Sequence, residues 1–265
     1  MGLTQLIVLA VIQGLTEFLP ISSSGHLVLV PSLLGWSDQG LAFDVAVHFG
    51  SLLAVGIFFR EDIAGLLRGT GEILSGRVDT PRTRMVWYLG IGTVPAALAG
   101  LLFAGWIAAN LRNPMIVVWT LAGYGILMAL ADRFGSSDRC ITDVRLRDAL
   151  LIGIAQALAL VPGTSRSGVT ITAGRLLGIA RQDAARFSFL LSVPVILFAT
   201  IYELVMLVTG DAPVPWDNLA IAALISAAVA YASIEFFMRF VSRIGLLPFA
   251  VYRLLLAVVV VYVLT

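Results

Sequence analysis

The chain contains no lysine; all 17 basic residues are arginine. That removes Schiff-base chemistry, a Walker-type phosphate lysine and a catalytic lysine from consideration. There is one cysteine, Cys140, so no internal disulfide can form, and with only His26 and His48 there is no zinc-finger or multi-histidine metal framework. Charge of either sign is scarce. Charged residues make up 12% of the 265, and the net charge of +1 offers no basic stripe to a nucleic-acid backbone, so no nucleic-acid partner is expected. Apolar surface takes the place of charge: 59% of the residues are hydrophobic before 25 glycines are counted, and the mean hydropathy is +0.98. Soluble domains carry about 45–50% with glycine included. The composition therefore predicts an all-α polytopic membrane protein, with residues 1–265 forming a single integral membrane domain.

A helix needs about 20 apolar residues to cross the hydrocarbon core. Stretches at roughly 84–107, 112–131, 186–208, 217–238 and 246–264 meet or approach that length, and a sixth, 41–59, does so while carrying Asp44 and His48. Two further apolar segments are interrupted. Segment 3–34 breaks at Pro20-Ile21-Ser22-Ser23-Ser24-Gly25, and 147–179 breaks at Pro162-Gly163-Thr164-Ser165-Arg166-Ser167-Gly168. Each reads as two half-helices joined by a polar turn, a re-entrant hairpin. Non-helical backbone at membrane depth survives only inside protein or beside a cavity, because lipid cannot satisfy its N–H and C=O groups. The two breaks are therefore where chemistry is expected.

If both hairpins return to the side they enter, the connections at 60–84, 133–147, 181–186 and 239–243 place 13 arginines on one face and leave Arg112 alone on the other. The positive-inside rule makes the first face cytoplasmic. Both termini then lie outside. Residues 1–20 lack a positive leading region and are interrupted by Glu17, so they are not read as a signal peptide.

A shift of 143 residues places Gln13 on Gln156, Ser22 on Ser165, Ser24 on Ser167, Gly25 on Gly168 and Leu33-Leu34-Gly35 on Leu176-Leu177-Gly178. The two hairpins read as copies, within repeats of approximately 1–131 and 145–265. Three full crossings separate them, an odd number, so the second copy is expected upside down relative to the first.

At the first break, Gln13 and Glu17 lie one helical turn apart. A carboxylate at membrane depth is expensive, so Glu17 is a candidate acid, base or metal ligand, or else it is satisfied by a neighbouring arginine or serine. Ser22, Ser23 and Ser24 begin the following half-helix. Three hydroxyls exceed what one cap needs, and together with the exposed N–H groups they suit an anion or a nucleophilic role. His26 follows Ser22 and Ser23 by four and three residues, close enough along a helix to serve either hydroxyl. The plainer role is an interhelical hydrogen bond. At the second break Arg166 offers a planar fork suited to phosphate oxygens, or a salt bridge to Glu17. Asp44 and His48 read as support for such a site, and Glu203, Glu235, Arg175 and Arg253 as interhelical pairs or snorkelling ends.

QGLTEFLPISSSGHLVL (13–29) and PGTSRSGVT (162–170) resemble the bacterial undecaprenyl-diphosphate phosphatases of the bacitracin-resistance type, as do AFDVAVHFGSLLAV (42–55) and LPFAVYR (247–253). The resemblance covers essentially the whole chain. It departs at Gln13, where the family often has glutamate, and at Ser24, where threonine is frequent; the first removes a negative ligand and the second keeps the hydroxyl. The resemblance implies six transmembrane helices with two re-entrant hairpins. It also implies hydrolysis of a polyprenyl diphosphate to the monophosphate and inorganic phosphate, supported by a divalent cation, Mg2+ or Ca2+. Glu17, Ser23, His26 and Arg166 match the family's catalytic positions. Gln13, Ser22, Ser24, Ser165, Ser167 and Thr170 match the rest of its two motifs and are candidate substrate-binding residues, while Glu17 is the candidate metal ligand. The expected setting is the bacterial plasma membrane, with the phosphate site opening outward, the lipid substrate and the bilayer as partners, and a second copy of the chain as a candidate homodimer partner.

Inverted repeats with broken helices also mark secondary transporters, so a carrier or flippase of a phosphorylated lipid is the alternative. A carrier needs no nucleophile, and the Ser, His, Glu and Arg set favours the enzyme. Histidine-dependent lipid phosphatases share Ser24-Gly25-His26 but need a lysine and further histidines that this chain lacks.

Overall fold

The computed structural model describes residues 1–111, 113–209 and 215–264, the side chains at 104, 108, 114 and 264 apart. Arg112, the one arginine assigned to the outer face, falls outside the described residues. The helices are α1 (Leu3–Thr16), α2 (Ser23–Leu34), α3 (Leu41–Phe58), α4 (Arg60–Leu74), α5 (Pro81–Asn110), α6 (Pro114–Phe134), α7 (Leu146–Ala157), α8 (Arg166–Leu176), α9 (Arg181–Thr209), α10 (Trp216–Ile244) and α11 (Leu247–Leu264). Among the described residues there is no strand, and the protein is an all-α polytopic membrane protein.

Five helices are long and apolar enough to cross a membrane, within α3, α5, α6, α9 and α10, and α11 is an apolar helix slightly shorter than these. Five of the six expected spans reach crossing length, and the sixth, 246–264, corresponds to the shorter apolar α11. Local chemistry sets where they start. Thr80 Oγ1 accepts from Thr83 N at 3.2 Å and Pro81 takes the first helical position, so α5 begins before the apolar run does. Asn113 Oδ1 caps α6 in the same way, 2.8 Å from Met115 N.

The 60–84 connection, expected as a loop, contains α4. Its Ile63 and Leu66 pack against the core while its other face is polar, a pattern too weakly apolar to register as a span. Arg186 on α9 donates to Asp62 at 2.6 Å and ties α4 down. At its far end Glu72 accepts from Thr80 and Arg82, and the Thr80 hydroxyl above all holds that carboxyl below its usual pKa.

Each broken segment packs its first half-helix on a long helix from the opposite half of the chain, α1 on α10 and α7 on α5. Glycine makes the approach close enough. A Cβ on Gly14 would lie 2.6 Å from Ser226 O, and one on Gly153 would run into the Gly92 carbonyl. Helices in lipid associate through such packing, since lipid is as apolar as a leucine side chain. The outward surfaces are accordingly apolar, with Leu101, Trp119, Phe198, Leu224 and Val258 exposed. Inside, Phe18, Phe59, Phe189, Phe237 and Phe249 form a chain of ring contacts with centroids 5.2–6.1 Å apart. Phe18 brings that core directly beside Glu17.

The two breaks have one local conformation. Ser22 and Ser165 are the only non-glycine residues with positive φ among those described, at 74° and 71°. Each Oγ accepts from the N–H of the glycine three residues on, at 3.3 and 3.2 Å, and each lies 3.3 Å from the serine hydroxyl two residues on. A positive φ is costly for a side chain with Cβ. Here the cap bond offsets part of that cost and starts the second half-helix.

Candidate active site

Breaking an apolar helix leaves carbonyl oxygens without partners. Arg253 on α11 meets them. It is 1% exposed. Its Nη1 donates to Pro20 O (3.4 Å) and Thr164 O (3.0 Å), its Nη2 to Gly163 O (2.9 Å) and Thr120 O (3.2 Å), and its Nε to Leu121 O (3.2 Å). A guanidinium has five N–H donors, so every one is used. The acceptors belong to the first turn, the second turn and α6, which Arg253 therefore holds together. Ser167 Oγ adds a direct link, donating to Leu19 O at 3.0 Å.

That frame sets Glu17 against Ser23 and Arg166. Ser23 Oγ donates to Glu17 Oε2 at 2.7 Å, and Gln13 Nε2 donates to the same oxygen at 3.1 Å. Arg166 Nη2 donates to the other oxygen at 2.8 Å, while its Nη1 reaches Ser188 O on α9 at 3.4 Å and its guanidinium lies over the Phe18 ring at 5.6 Å. Glu17 is buried, 8% exposed, so this pairing is what makes its charge tolerable. A serine hydroxyl on a buried carboxylate, with a guanidinium beside it, can lose its proton to the carboxylate as it attacks. The guanidinium is then free to turn to a phosphate.

His26 takes a different position from the one its spacing suggested. Its Nδ1 donates to the Ser22 carbonyl at 2.7 Å, and its Nε2 accepts from the Tyr252 hydroxyl at 2.6 Å. It therefore pairs with the backbone of the first turn and with α11, and with neither serine hydroxyl. Among the binding candidates, Ser22 and Ser165 serve as caps. Ser167 and Thr170 are fully enclosed, Thr170 Oγ1 lying 2.6 Å from Ser188 Oγ. Ser24 is exposed beside Ser23.

Residues 6–259 match the protein family described as "Bacitracin resistance protein BacA". The chain belongs to that family. Its relatives include "Undecaprenyl-diphosphatase 2" of Stutzerimonas stutzeri, 49% identical over 98% of this chain and 97% of the relative. The "Undecaprenyl-diphosphatase" of Nitrosococcus oceani is 50% identical over 99% of both chains, and that of Hahella chejuensis is 50% identical over 95% of this chain and 94% of the relative.

For this bacitracin-resistance family member, the expectation of Glu17 as a metal ligand does not fit the donor set. Hard cations take several oxygen ligands. Among the described residues no three His, Cys, Asp or Glu side chains converge, and both Glu17 oxygens already accept from Arg166, Ser23 and Gln13. Glu17 is instead the partner of a serine and an arginine.

Arg175 and Arg253, read from sequence as pairs or snorkelling ends, are both enclosed at 1% exposure. Arg175 donates to the carbonyls of Gly135, Ser136 and Ile179 and faces Asp132 at 3.4 Å. Asp132 also holds Arg181 at 2.6 Å and Leu246 N at 2.9 Å, so it anchors the start of α11. The one available signal was placement: an arginine deep in the last apolar stretch has no water to reach.

Lysine at 253 keeps the charge but has only three donors, leaving at least two carbonyls unmet at about 1–3 kcal/mol each. Arg253→Lys should lower the unfolding midpoint in detergent well below that of wild type. An unchanged midpoint would show that the five bonds do not hold the turns.

Proposed function

We propose that the chain hydrolyses undecaprenyl diphosphate to undecaprenyl monophosphate and inorganic phosphate, regenerating a lipid carrier for cell-wall synthesis and so opposing bacitracin. Relatives at about half identity over nearly their whole length carry the name of that activity. The observation that carries the chemistry is Ser23 Oγ at 2.7 Å from Glu17 Oε2, with Arg166 on the other carboxylate oxygen. Helix N-termini alone would suffice for a carrier to hold phosphate; a carboxylate on a serine hydroxyl serves attack.

The polyprenyl tail stays in lipid and the diphosphate enters between the two turns, where Arg166 and the N-terminal N–H groups of α2 and α8 meet its charge. Ser23 Oγ attacks the terminal phosphorus as Glu17 takes its proton. The bridging P–O bond breaks, the monophosphate leaves with the electron pair, and water then cleaves the phosphoseryl ester. A divalent cation, if the reaction uses one, would find ligands in the diphosphate oxygens, since no acidic or histidine cluster converges among the described residues. His26, fixed by Ser22 O and Tyr252, orients the serine turn.

The orientation follows the arginine asymmetry: a cytoplasmic face with 13 arginines, both termini outside, and a phosphate site open to the outside. Cys140 is exposed on the face assigned to the cytoplasm. In right-side-out membrane vesicles it should resist an impermeant maleimide until detergent is added; immediate labelling would invert the topology.

Acid quench during turnover, followed by mass spectrometry, tests the chemical step. Phosphate on Ser23 is expected, together with loss of turnover in Ser23→Ala. Phosphate on His26, or on neither residue while turnover proceeds, would discard the serine step.

A further inference from the structure

The histidine that faces the reacting pair lies outside both motifs. His48 on α3 points its Nε2 at Glu17 Oε2 across 3.9 Å, the same oxygen that accepts from Ser23. Its Nδ1 lies 2.7 Å from the Asp44 carbonyl one turn back, and since a carbonyl can only accept, that nitrogen carries a hydrogen. Neutral His48 therefore presents its free lone pair to Glu17. His26 cannot do this, because both of its ring nitrogens are engaged elsewhere.

Exposure gives the arrangement a direction. Glu17 is 8% exposed and His48 35%. A proton that moves from Ser23 onto Glu17 is enclosed with the reacting groups, and His48 is the more open group next to it. The charges acting on His48 are Glu17 from the first turn, Glu203 from α9 and Asp44 from its own helix, with Arg166 behind Glu17.

We propose that His48 receives from Glu17 the proton that Ser23 gives up, returning Glu17 to its carboxylate form before water attacks the phosphoseryl ester. This rests on the serine reading above. As Oγ–P forms and the bridging P–O bond breaks, the proton passes from Ser23 Oγ to Glu17 Oε2 and then to His48 Nε2. The imidazolium keeps its Nδ1–H on Asp44 O and releases the Nε2 proton to water. Glu17, again a carboxylate, then takes a proton from the attacking water. The 3.9 Å gap must shorten by about 1 Å, a change of the kind that catalytic contacts undergo when substrate binds. His48 acts through Glu17 and is a positioning residue for the reaction.

The test uses the purified full chain with a polyprenyl diphosphate and measures phosphate release across pH in wild type, His48→Ala, His48→Gln and Ser23→Ala, with and without added imidazole. His48→Ala should lose about 100-fold or more in kcat with KM within about threefold, the scale of positioned proton transfer. It should also lose the acid limb of the pH profile. Imidazole should restore at least about tenfold, more at higher pH where it is neutral. His48→Gln, which fills the site without accepting a proton, should be equally slow and not rescued. Wild-type turnover in His48→Ala, or a loss with an unchanged pH profile and no rescue, would overturn the proposal. Ser23→Ala separates the two levels: turnover in that variant would remove the serine step and this proposal with it. An inactive Ser23→Ala beside a fully active His48→Ala would remove His48 alone.

Discussion

Two breaks in apolar helices leave backbone carbonyls without helical partners, and one side chain, Arg253, satisfies carbonyls from both breaks at once. Its five donors meet five carbonyls with none left over. No carboxylate is among those partners; the guanidinium charge is met by carbonyl dipoles. This arrangement brings together a carboxylate at the end of one half-helix and a serine and an arginine at the starts of two others, where continuous helices would keep them apart. Loosening that bond set would let the two turns drift apart, and the distances between Ser23, Glu17 and Arg166 with them.

The turns are conformational copies that have taken different parts. Under the 143-residue shift, Ser23 aligns with Arg166, each the first helical residue after a serine cap with positive φ. One copy thus presents the serine hydroxyl on Glu17 and the other the guanidinium, from equivalent positions. Glu17 aligns with Leu160, so only the first copy carries the carboxylate. Gln13 and Gln156 occupy matching places, but Gln13 donates to Glu17 whereas Gln156 donates to Gly92 O at 3.3 Å, where α7 meets α5. A shared turn geometry therefore supports a site on one side and a helix contact on the other.

Much of this was legible in the residues. Apolar run length located the spans, the Pro, Gly and Ser clusters located the breaks, and the cost of an unpaired intramembrane charge pointed to Glu17 with Arg166. Spacing along a helix shows which residues share a face but not what lies opposite. His26 had two serine hydroxyls within reach by spacing, and it bonds instead to a carbonyl and to a tyrosine 226 residues away. His48 and Arg253 act across helices, through contacts that no local pattern contains. The amphipathic α4 was missed because a search by continuous hydropathy passes over a helix with only one apolar stripe.

The central claim is that the two breaks form one site through the buried pair Glu17 and Arg166, and a double-mutant cycle on stability measures that pairing directly. Glu17→Gln, Arg166→Gln and the double variant would be unfolded in the same detergent. If the pair is as described, each single change strands a buried charge at a cost of about 3–5 kcal/mol, and the double variant loses far less than the sum of the two. Effects that add to within about 0.5 kcal/mol would contradict the account, because they would mean that the carboxylate and the guanidinium do not meet.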